Sequence, residues 1–220
     1  MTKRELTKRY ILFLFSFFVS AIGVALTKKG ELGVSPVSSV ANILSIRFTF
    51  FSLGNWLIVW NCILILGQIV LLRRKFQLIQ LLQVPLSFLF GYFTDFGLWI
   101  FSAYTPKMYW ERISCVILGT AVLGFGIALS VIANVIMNSG EAFVKALSDT
   151  IRKEFGNVKI GFDISCVSLS ILLSLLFFGG TIMGTREGTV YAALFTGMMV
   201  KLFRRLLSPF VSSLLIEKGQ

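Results

Sequence analysis

The sequence predicts an all-α fold, a polytopic transmembrane helical bundle. Hydrophobic residues make up 56% of the 220 residues, whereas an ordinary soluble domain contains roughly 45–50%. The mean hydropathy is +0.84. The charged residues, 14% of the chain, stand mainly at the edges of long apolar runs, which is the pattern of membrane spans. Because a soluble protein could not bury this much apolar surface, we expect an integral membrane protein.

Six apolar segments are long enough to cross the bilayer, whose hydrocarbon core of about 30 Å needs roughly 17–25 helical residues. They comprise residues 10–26, 56–72, 78–101, 113–136, 164–183 and 189–203. The basic N-terminus is similar to the start of a signal peptide, but the apolar run continues without a convincing small-residue cleavage site. We therefore expect the first segment to be retained as a span.

The distribution of basic residues predicts the orientation of these spans. With the N-terminus in the cytoplasm, most of the 21 lysines and arginines fall on the cytoplasmic side, including the turn of residues 73–75 and a loop of residues 145–159. The positive-inside rule then predicts a multi-pass protein of the bacterial inner (cytoplasmic) membrane, with both the N- and C-termini in the cytoplasm.

Composition also argues against several functions. The basic residues form short clusters without a continuous patch of stacking aromatics, so we expect no nucleic-acid partner. Histidine is absent and the three cysteines lie apart within apolar runs, so we expect reduced packing cysteines, no metal and no cofactor. No catalytic constellation is recognisable, so we expect no enzyme. The expected partners are the lipid bilayer and a small-molecule or ion substrate. The Gly-rich faces would also permit a homodimer.

The chain contains an internal similarity. "AIGVAL" (residues 21–26) is echoed by "GFGIAL" (residues 124–129), and "VPLSFLFGYF" by "TVYAALFTGMM". The offset stays close to about 105 residues, which indicates two copies of one unit. We assign residues 1–110 to repeat 1, 111–207 to repeat 2 and 208–220 to an interfacial or cytoplasmic tail. Since each unit has three spans, the second must enter the membrane inverted relative to the first.

Each unit also contains a short amphipathic segment after its first span, at residues 36–51 and 140–155. Ser35 before Pro36, and Ser139 followed by Glu141, are typical helix-start signals. If these helices re-enter the membrane, their N-termini could flank a central cavity and attract polar groups. The alternative is that both helices lie flat at the membrane surface as anchors.

A glycine-rich stretch, "GGTIMGTREGTVYAALFTG", lies between the last two spans. Arg186 and Glu187 in its centre are either solvated in an external turn or part of a turn that dips inward. In the second case Thr185, Thr189 and Arg186 would face a ligand, with Arg186 as a partner for an anion.

Polar residues within the spans are further candidates, because ionisable groups in a membrane are costly. Asp95, in "GYFTDFG", could bind a cation, carry a proton or reach the outer interface. Asp163 is expected at the cytoplasmic boundary of the fifth span. Asn61, Gln68 and Asn134 are expected to form interhelical hydrogen bonds rather than ligand contacts.

Three short motifs are similar to those of a known family. The GVSP turn at residues 33–36, the stretch from Gln83 to Gly91 and the Gly-Thr-rich turn before the last span resemble the YczE/YyaS/YitT-type bacterial integral membrane proteins, closest to the YczE group. Related sequences usually carry Gly-x-Ser-Pro-Trp in the first turn, whereas this chain has Val37 in place of the aromatic residue. The resemblance implies a membrane protein and no particular substrate.

These observations predict a small transporter or permease that works without ATP, since no P-loop pattern occurs. A central site between the inverted repeats would allow alternating access. The alternatives are a substrate-binding subunit of a larger transport complex and a non-transporting regulatory or scaffold protein. The coupling carboxylate is expected to be Asp95 or Glu141. The predicted substrate-binding residues are Ser35, Pro36, Asn42, Ser139, Gly140, Glu141, Gly184, Thr185, Arg186, Gly188 and Thr189.

Overall fold

The computed structural model describes residues 3–215, with the side chains of residues 3–211. This part of the chain contains eight α-helices and no strand, which confirms the all-α prediction. The helices are α1 (Lys3–Lys29), α2 (Pro36–Arg47), α3 (Leu53–Leu72), α4 (Gln83–Ile100), α5 (Tyr109–Ala133), α6 (Ser139–Ile151), α7 (Phe155–Phe177) and α8 (Glu187–Leu215). Two 3₁₀ turns, Arg73–Lys75 and Leu78–Leu82, connect α3 to α4.

Five helices in the described residues are long and apolar enough to cross a membrane, namely α1, α3, α4 with the turn before it, α5 and α7. This confirms a helical membrane bundle. The predicted sixth span, residues 189–203, lies inside α8, which does not meet the same criteria. Lys201, Arg204 and Arg205 interrupt its apolar sequence. The crossing of α8 therefore stays a prediction.

The N-terminal boundary of α7 differs most from the sequence prediction. The helix begins at Phe155 rather than near residue 164. Val158, Phe162 and Cys166 are buried at helical spacing on one face, and burial of this face extends the helix ahead of the continuous apolar run. Asp163 therefore lies within α7, and its position at the cytoplasmic boundary of the span stays a prediction.

The ends of the short helices and of α8 also differ. α2 stops at Arg47 and α6 at Ile151, where Arg152 adopts a left-handed conformation with φ of 53°, a common way to end a helix. Asn138, rather than Ser139, caps α6, and its Oδ1 accepts the Ser139 N–H at 2.8 Å. α8 continues through Pro209, so the predicted tail, residues 208–220, starts inside a helix and ends beyond the described residues.

α1 and α5 cross at the centre of the bundle and form its most extensive helix–helix contact. A Cβ atom on Gly23 would lie 2.5 Å from the Leu123 nitrogen and 2.9 Å from the Gly119 oxygen. A Cβ atom on Gly126 would lie 2.3 Å from Ser20 Oγ. Only glycine permits this backbone approach, so these two positions hold α1 and α5 together.

The crossing obeys a pseudo-two-fold relation. One constant offset along the chain relates Gly23 to Gly126 and Ser20 to Leu123. The contact of Gly23 with Leu123 is therefore repeated, with the partners exchanged, by Gly126 and Ser20. Exchange of partners is what a two-fold axis produces.

The outer helices show the same exchange. α2 packs against α7, whereas α6, its counterpart, packs against α3. Similarly, α4 packs on α1 and α8 packs on α5. α1 and α5 run antiparallel, since Thr27 is close to Gly119 while Ser20 is close to Gly126. These contacts are those expected of two inverted copies of one unit.

The pseudo-two-fold relation does not hold for the packing of α3 on α4 and of α7 on α8. α3 and α4 pack closely through Gly54 and Gly91, where a Cβ atom on Gly54 would lie 2.2 Å from the Gly91 oxygen. Their counterparts α7 and α8 make at most marginal contact. Gly161 on α7 and Gly197 on α8 would place a Cβ atom in open space. The two halves of the bundle therefore differ in how tightly their last two helices are joined.

Candidate functional site

The first turns of the two short helices meet inside the bundle. A Cβ atom on Gly140, in α6, would lie 3.3 Å from Val37 Cγ1, in α2. The offset that relates the crossing glycines also relates Val37 to Gly140, so this contact lies at the pseudo-two-fold axis. Pro36 and Ser139, the first residues of the two helices, are buried. These ends therefore pack inside the protein, and their re-entry into the membrane stays a prediction.

Local hydrogen bonds fix the two helix starts. Ser35 occupies the N-cap position of α2, but its Oγ donates to Ser38 Oγ at 2.9 Å and caps no backbone group. At the start of α6, Gln68 Nε2 donates to the Ser139 oxygen at 3.2 Å and to Gln83 Oε1 at 3.1 Å. These bonds join α3, α4 and α6.

The structure bears differently on the three amide side chains, Asn61, Gln68 and Asn134, that were predicted to form interhelical hydrogen bonds. The interhelical bonds of Gln68 confirm the prediction for that residue. Asn134 instead ends α5 in a left-handed conformation. Within the described part of the chain, the side chain of Asn61 forms no interhelical hydrogen bond although it is buried.

Glu141 lies in the first turn of α6 and faces a small internal cavity. The cavity has a volume of about 10 Å³, close to the minimum that holds one water molecule. No side chain or backbone group in the described residues donates a hydrogen bond to its carboxylate. Besides Glu141, the cavity is lined by Phe17, Ser20, Phe90, Ile127, Ser130 and Asn138.

The electrostatic surroundings of Glu141 favour its neutral form. Burial raises the pKa of the Glu141 carboxyl, Lys159 opposes this effect and Asp163 adds to it. Lys159 Nζ and Asp163 Oδ1 form an ion pair at 2.5 Å, with side chains 28% and 20% exposed. This pair lies one turn apart on α7. Because the pair is internally neutral, it compensates little of the charge of Glu141, and the carboxyl can take up and release a proton.

We call Val37, Gly140, Glu141, Lys159 and Asp163 the junction cluster. Sequence reasoning identified Gly140 and Glu141 but placed Lys159 in a cytoplasmic loop and Asp163 at a membrane boundary. The signal that could have found the pair is "KIGFD", an opposite-charge pair at (i, i+4) spacing beside an apolar run.

A second polar cluster joins α2 to the glycine-rich turn before α8. Asn42 Nδ2 donates to the Gly184 oxygen at 2.8 Å, and Lys28 Nζ donates to Asn42 Oδ1 at 2.5 Å. Thr185 Oγ1 and Ser170 Oγ are 2.8 Å apart. Gly184 has φ of 70°, and a Cβ atom there would lie 2.7 Å from Ile46 Cδ1. The structure thus brings Asn42, Gly184 and Thr185 together, and adds Lys28.

The rest of the glycine-rich turn divides between the interior and the surface. The Gly188 N–H donates to the Leu32 oxygen at 2.9 Å. Thr189 is fully buried, and its Oγ1 has no hydrogen-bond partner in the described residues. Arg186 and Glu187 form an ion pair at 3.2 Å, each side chain 46% exposed. The structure therefore places Thr185 and Thr189 inside and Arg186 on the surface.

Asp95 lies outside the junction cluster and stabilises the start of α3. Its Oδ1 accepts the Gly54 N–H at 2.8 Å, and its Oδ2 accepts the Ser52 hydroxyl at 2.5 Å. Ser52 Oγ in turn accepts the Asn55 N–H at 3.1 Å. Of the two candidate coupling carboxylates, Asp95 is engaged in helix capping, whereas Glu141 has no such partner.

The described residues contain no group of three or more Cys, Asp or Glu side chains that could hold a metal ion. Cys62, Cys115 and Cys166 are free cysteines, the last two buried.

Comparison with known proteins shows the family of the chain and no individual relative. No curated protein and no solved structure matches the sequence. Residues 7–205 match the model of one family, described as a family of unknown function. This match covers the junction cluster, the glycine-rich turn and all of the crossing between α1 and α5. The chain therefore belongs to the family of unknown function DUF6198.

Proposed function

We propose that this protein is a secondary transporter for a small molecule or ion, with its substrate site where α2 and α6 meet. The observation that carries the proposal is the contact between the buried first turns of two half-length helices, Val37 with Gly140, at the axis that relates the two copies. Inverted-repeat transporters place their sites near such an axis, at the ends of discontinuous helices. Helix N-termini there present backbone N–H groups and a partial positive charge to the substrate.

Glu141 is the proposed coupling carboxyl. It belongs to the junction cluster, faces an internal cavity and accepts no hydrogen bond within the described residues. Burial raises the pKa of its carboxyl, and a change of its surroundings during transport would shift that pKa and with it the protonation state. Asp95 is the weaker candidate, because both of its oxygens already accept hydrogen bonds from Gly54 and Ser52.

The unequal packing of the two copies supports alternating access. α3 and α4 are closed on each other through Gly54 and Gly91, while α7 and α8 are apart. In inverted-repeat transporters the two copies exchange conformations between the two end states. In the second state of the proposed cycle, α7 and α8 approach each other and α3 separates from α4.

The proposed setting is the cytoplasmic membrane of a bacterium, with α8 as the sixth span and both termini in the cytoplasm. The clusters of lysine and arginine support this orientation. The GVSP turn and the Gly-Thr-rich turn, both parts of the structured interior, support the further proposal that the family is related to the YczE group.

A ligand screen followed by transport measurement tests the proposal. The purified protein is first screened by thermal shift against a few hundred metabolites and ions, since a ligand of the folded state raises its apparent stability. Compounds that stabilise it are then added to proteoliposomes containing a pH-sensitive dye. We expect at least one compound to enter together with protons.

Two carboxyl-to-amide variants on the same helix provide the matched comparison. Glu141→Gln should abolish the proton flux, whereas Asp149→Asn should leave it unchanged, because the Asp149 side chain is 60% exposed and its ion pair among the described residues is with Lys145. Proton-coupled uptake that survives in Glu141→Gln would remove this residue from the mechanism. Stabilising compounds that never enter the proteoliposomes would contradict transport itself and favour a substrate-binding subunit.

A further inference from the structure

An open, mainly apolar groove lies on the flank of the bundle, separate from the cavity at Glu141. Its volume is about 720 Å³, within the range of small-molecule sites. α3 contributes Trp60, Ile63, Leu64 and Gly67, and α6 contributes Phe143, Leu147 and Ile151. The third wall is α7 with the residues just before it.

Two glycines determine the shape of this groove. On α3, a Cβ atom at Gly67 would lie 2.6 Å from the Phe143 ring, so the glycine lets this ring pack against the helix. On α7, Gly161 also lines the groove, and a Cβ atom there would meet nothing within 4 Å. The space above Gly161 is therefore open to an occupant, and a larger side chain would project into it.

One end of the groove is polar and basic. Lys153 and Asn157 line it at the connection between α6 and α7, next to Arg152. Lys153 and Arg152 are exposed, and neither forms an ion pair within the described residues. Glu154 follows them, so this connection carries a net positive charge of one. The nearby charges on α6 and α7 are already paired, as Lys145 with Asp149 and Lys159 with Asp163.

We propose that this groove binds one acyl chain of an anionic phospholipid, whose phosphate lies at Lys153 and Arg152. In a bilayer the occupant of an open groove is a lipid chain, and burial of its methylene groups against the apolar walls is favourable. The unpaired cations at one end select the headgroup, as basic pockets at the ends of membrane helices do. By the predicted orientation, this end faces the cytoplasm.

Fluorescence quenching by brominated lipids tests the site, because Trp60 lies in its wall. The reporter is a full-length chain with Trp60 as its only tryptophan, the other three being replaced by phenylalanine. It is reconstituted into phosphatidylcholine vesicles that contain increasing fractions of brominated phosphatidylglycerol or brominated phosphatidylcholine. We expect half-maximal quenching at a several-fold lower fraction of the anionic lipid.

Two matched variants of the reporter distinguish this site from general lipid contact. Gly161→Leu should fill the groove and raise the fraction of anionic lipid needed for quenching to that of phosphatidylcholine. Gly197→Leu should have no effect, because Gly197 is also an exposed helical glycine with open space beside it but does not line the groove. Lys153→Gln together with Arg152→Gln should remove the headgroup preference without altering quenching by phosphatidylcholine.

Equal quenching by the two lipids in the unmodified reporter would overturn the proposal, as would a headgroup preference that persists in the Lys153→Gln, Arg152→Gln variant. The same effect from both leucine variants would assign the quenching to general lipid contact. If Gly161→Leu does not fold, as judged by circular dichroism, the glutamine variant alone decides. The comparison of the two lipids and the glutamine variant are independent of the proposed transport, because Arg152 and Lys153 lie outside the junction cluster.

Discussion

Replacing Asp95 by alanine should destabilise the protein through the start of α3. The carboxylate accepts hydrogen bonds from the Gly54 N–H and the Ser52 hydroxyl, and Gly54 is buried. Hydrogen bonds to charged groups contribute about 1.5–3 kcal/mol each, and loss of a helix cap costs about 1 kcal/mol. Asp95 is only half-buried and Ser52 keeps its hydrogen bond to Asn55, so the full sum is not lost. We expect Asp95→Ala to lower the free energy of unfolding by about 2–3 kcal/mol.

Two further variants show whether this loss comes from the hydrogen bonds. Asp95→Asn retains an oxygen for the Gly54 N–H and an amide that can donate to Ser52, so it should cost about 1 kcal/mol or less. Asp149→Ala removes an exposed carboxylate with a partner 55% exposed, so it should cost less than about 1 kcal/mol.

The free energy of unfolding is measured by titration with SDS in mixed micelles, with helix content followed by circular dichroism. A loss below about 0.5 kcal/mol for Asp95→Ala would refute the capping role. Equal losses for the asparagine and alanine variants would also refute it, since only the alanine removes both bonds. Either result would restore Asp95 as a candidate for proton coupling.

Two further predictions follow from the α1–α5 crossing and from the junction cluster. Gly126→Ala places a methyl group 2.3 Å from Ser20 Oγ and should lower the free energy of unfolding by about 1–3 kcal/mol in the same titration. Gly156→Ala, whose methyl group meets open space, should be neutral or slightly stabilising. Equal effects of the two variants would argue against a close crossing of α1 and α5. The pKa of Glu141 is raised above its ordinary 4.5, so above about pH 4.5 the folded state keeps a proton that the unfolded state has lost. Stability should therefore fall as the pH rises from there through the raised pKa, and a Glu141→Gln variant that keeps the full slope would contradict this assignment.

The candidate site could be predicted from the sequence only where a local signal exists. Pro36 after Ser35, and Glu141 after Ser139, are local helix-start signals, and the structure places both starts in the interior. Lys159 could not be assigned, because its loop position was inferred from charge alone, and charge does not show where a helix begins. Its role depends on α6, a neighbour in space that supplies Glu141.

The two candidate carboxylates show the same limit. In the sequence, Asp95 has the clearer signal, since it lies in the middle of an apolar run. In the structure its oxygens are used by Ser52 and Gly54, residues of the preceding helix start. A sequence pattern reports that an ionisable group is unusual at its position, but the partners that satisfy the group come from elsewhere in the chain.

The sequence by itself determined that the chain is a helical membrane protein, because apolar runs of span length have only one way to satisfy their backbone hydrogen bonds in lipid. It also predicted two similar units, through the recurrence of "AIGVAL" as "GFGIAL". Only the tertiary structure decided that Gly23 and Gly126 form the crossing and that Val37 meets Gly140. The physical reason is that span formation depends on local hydropathy, whereas helix pairing depends on the shapes of surfaces that are distant in the sequence.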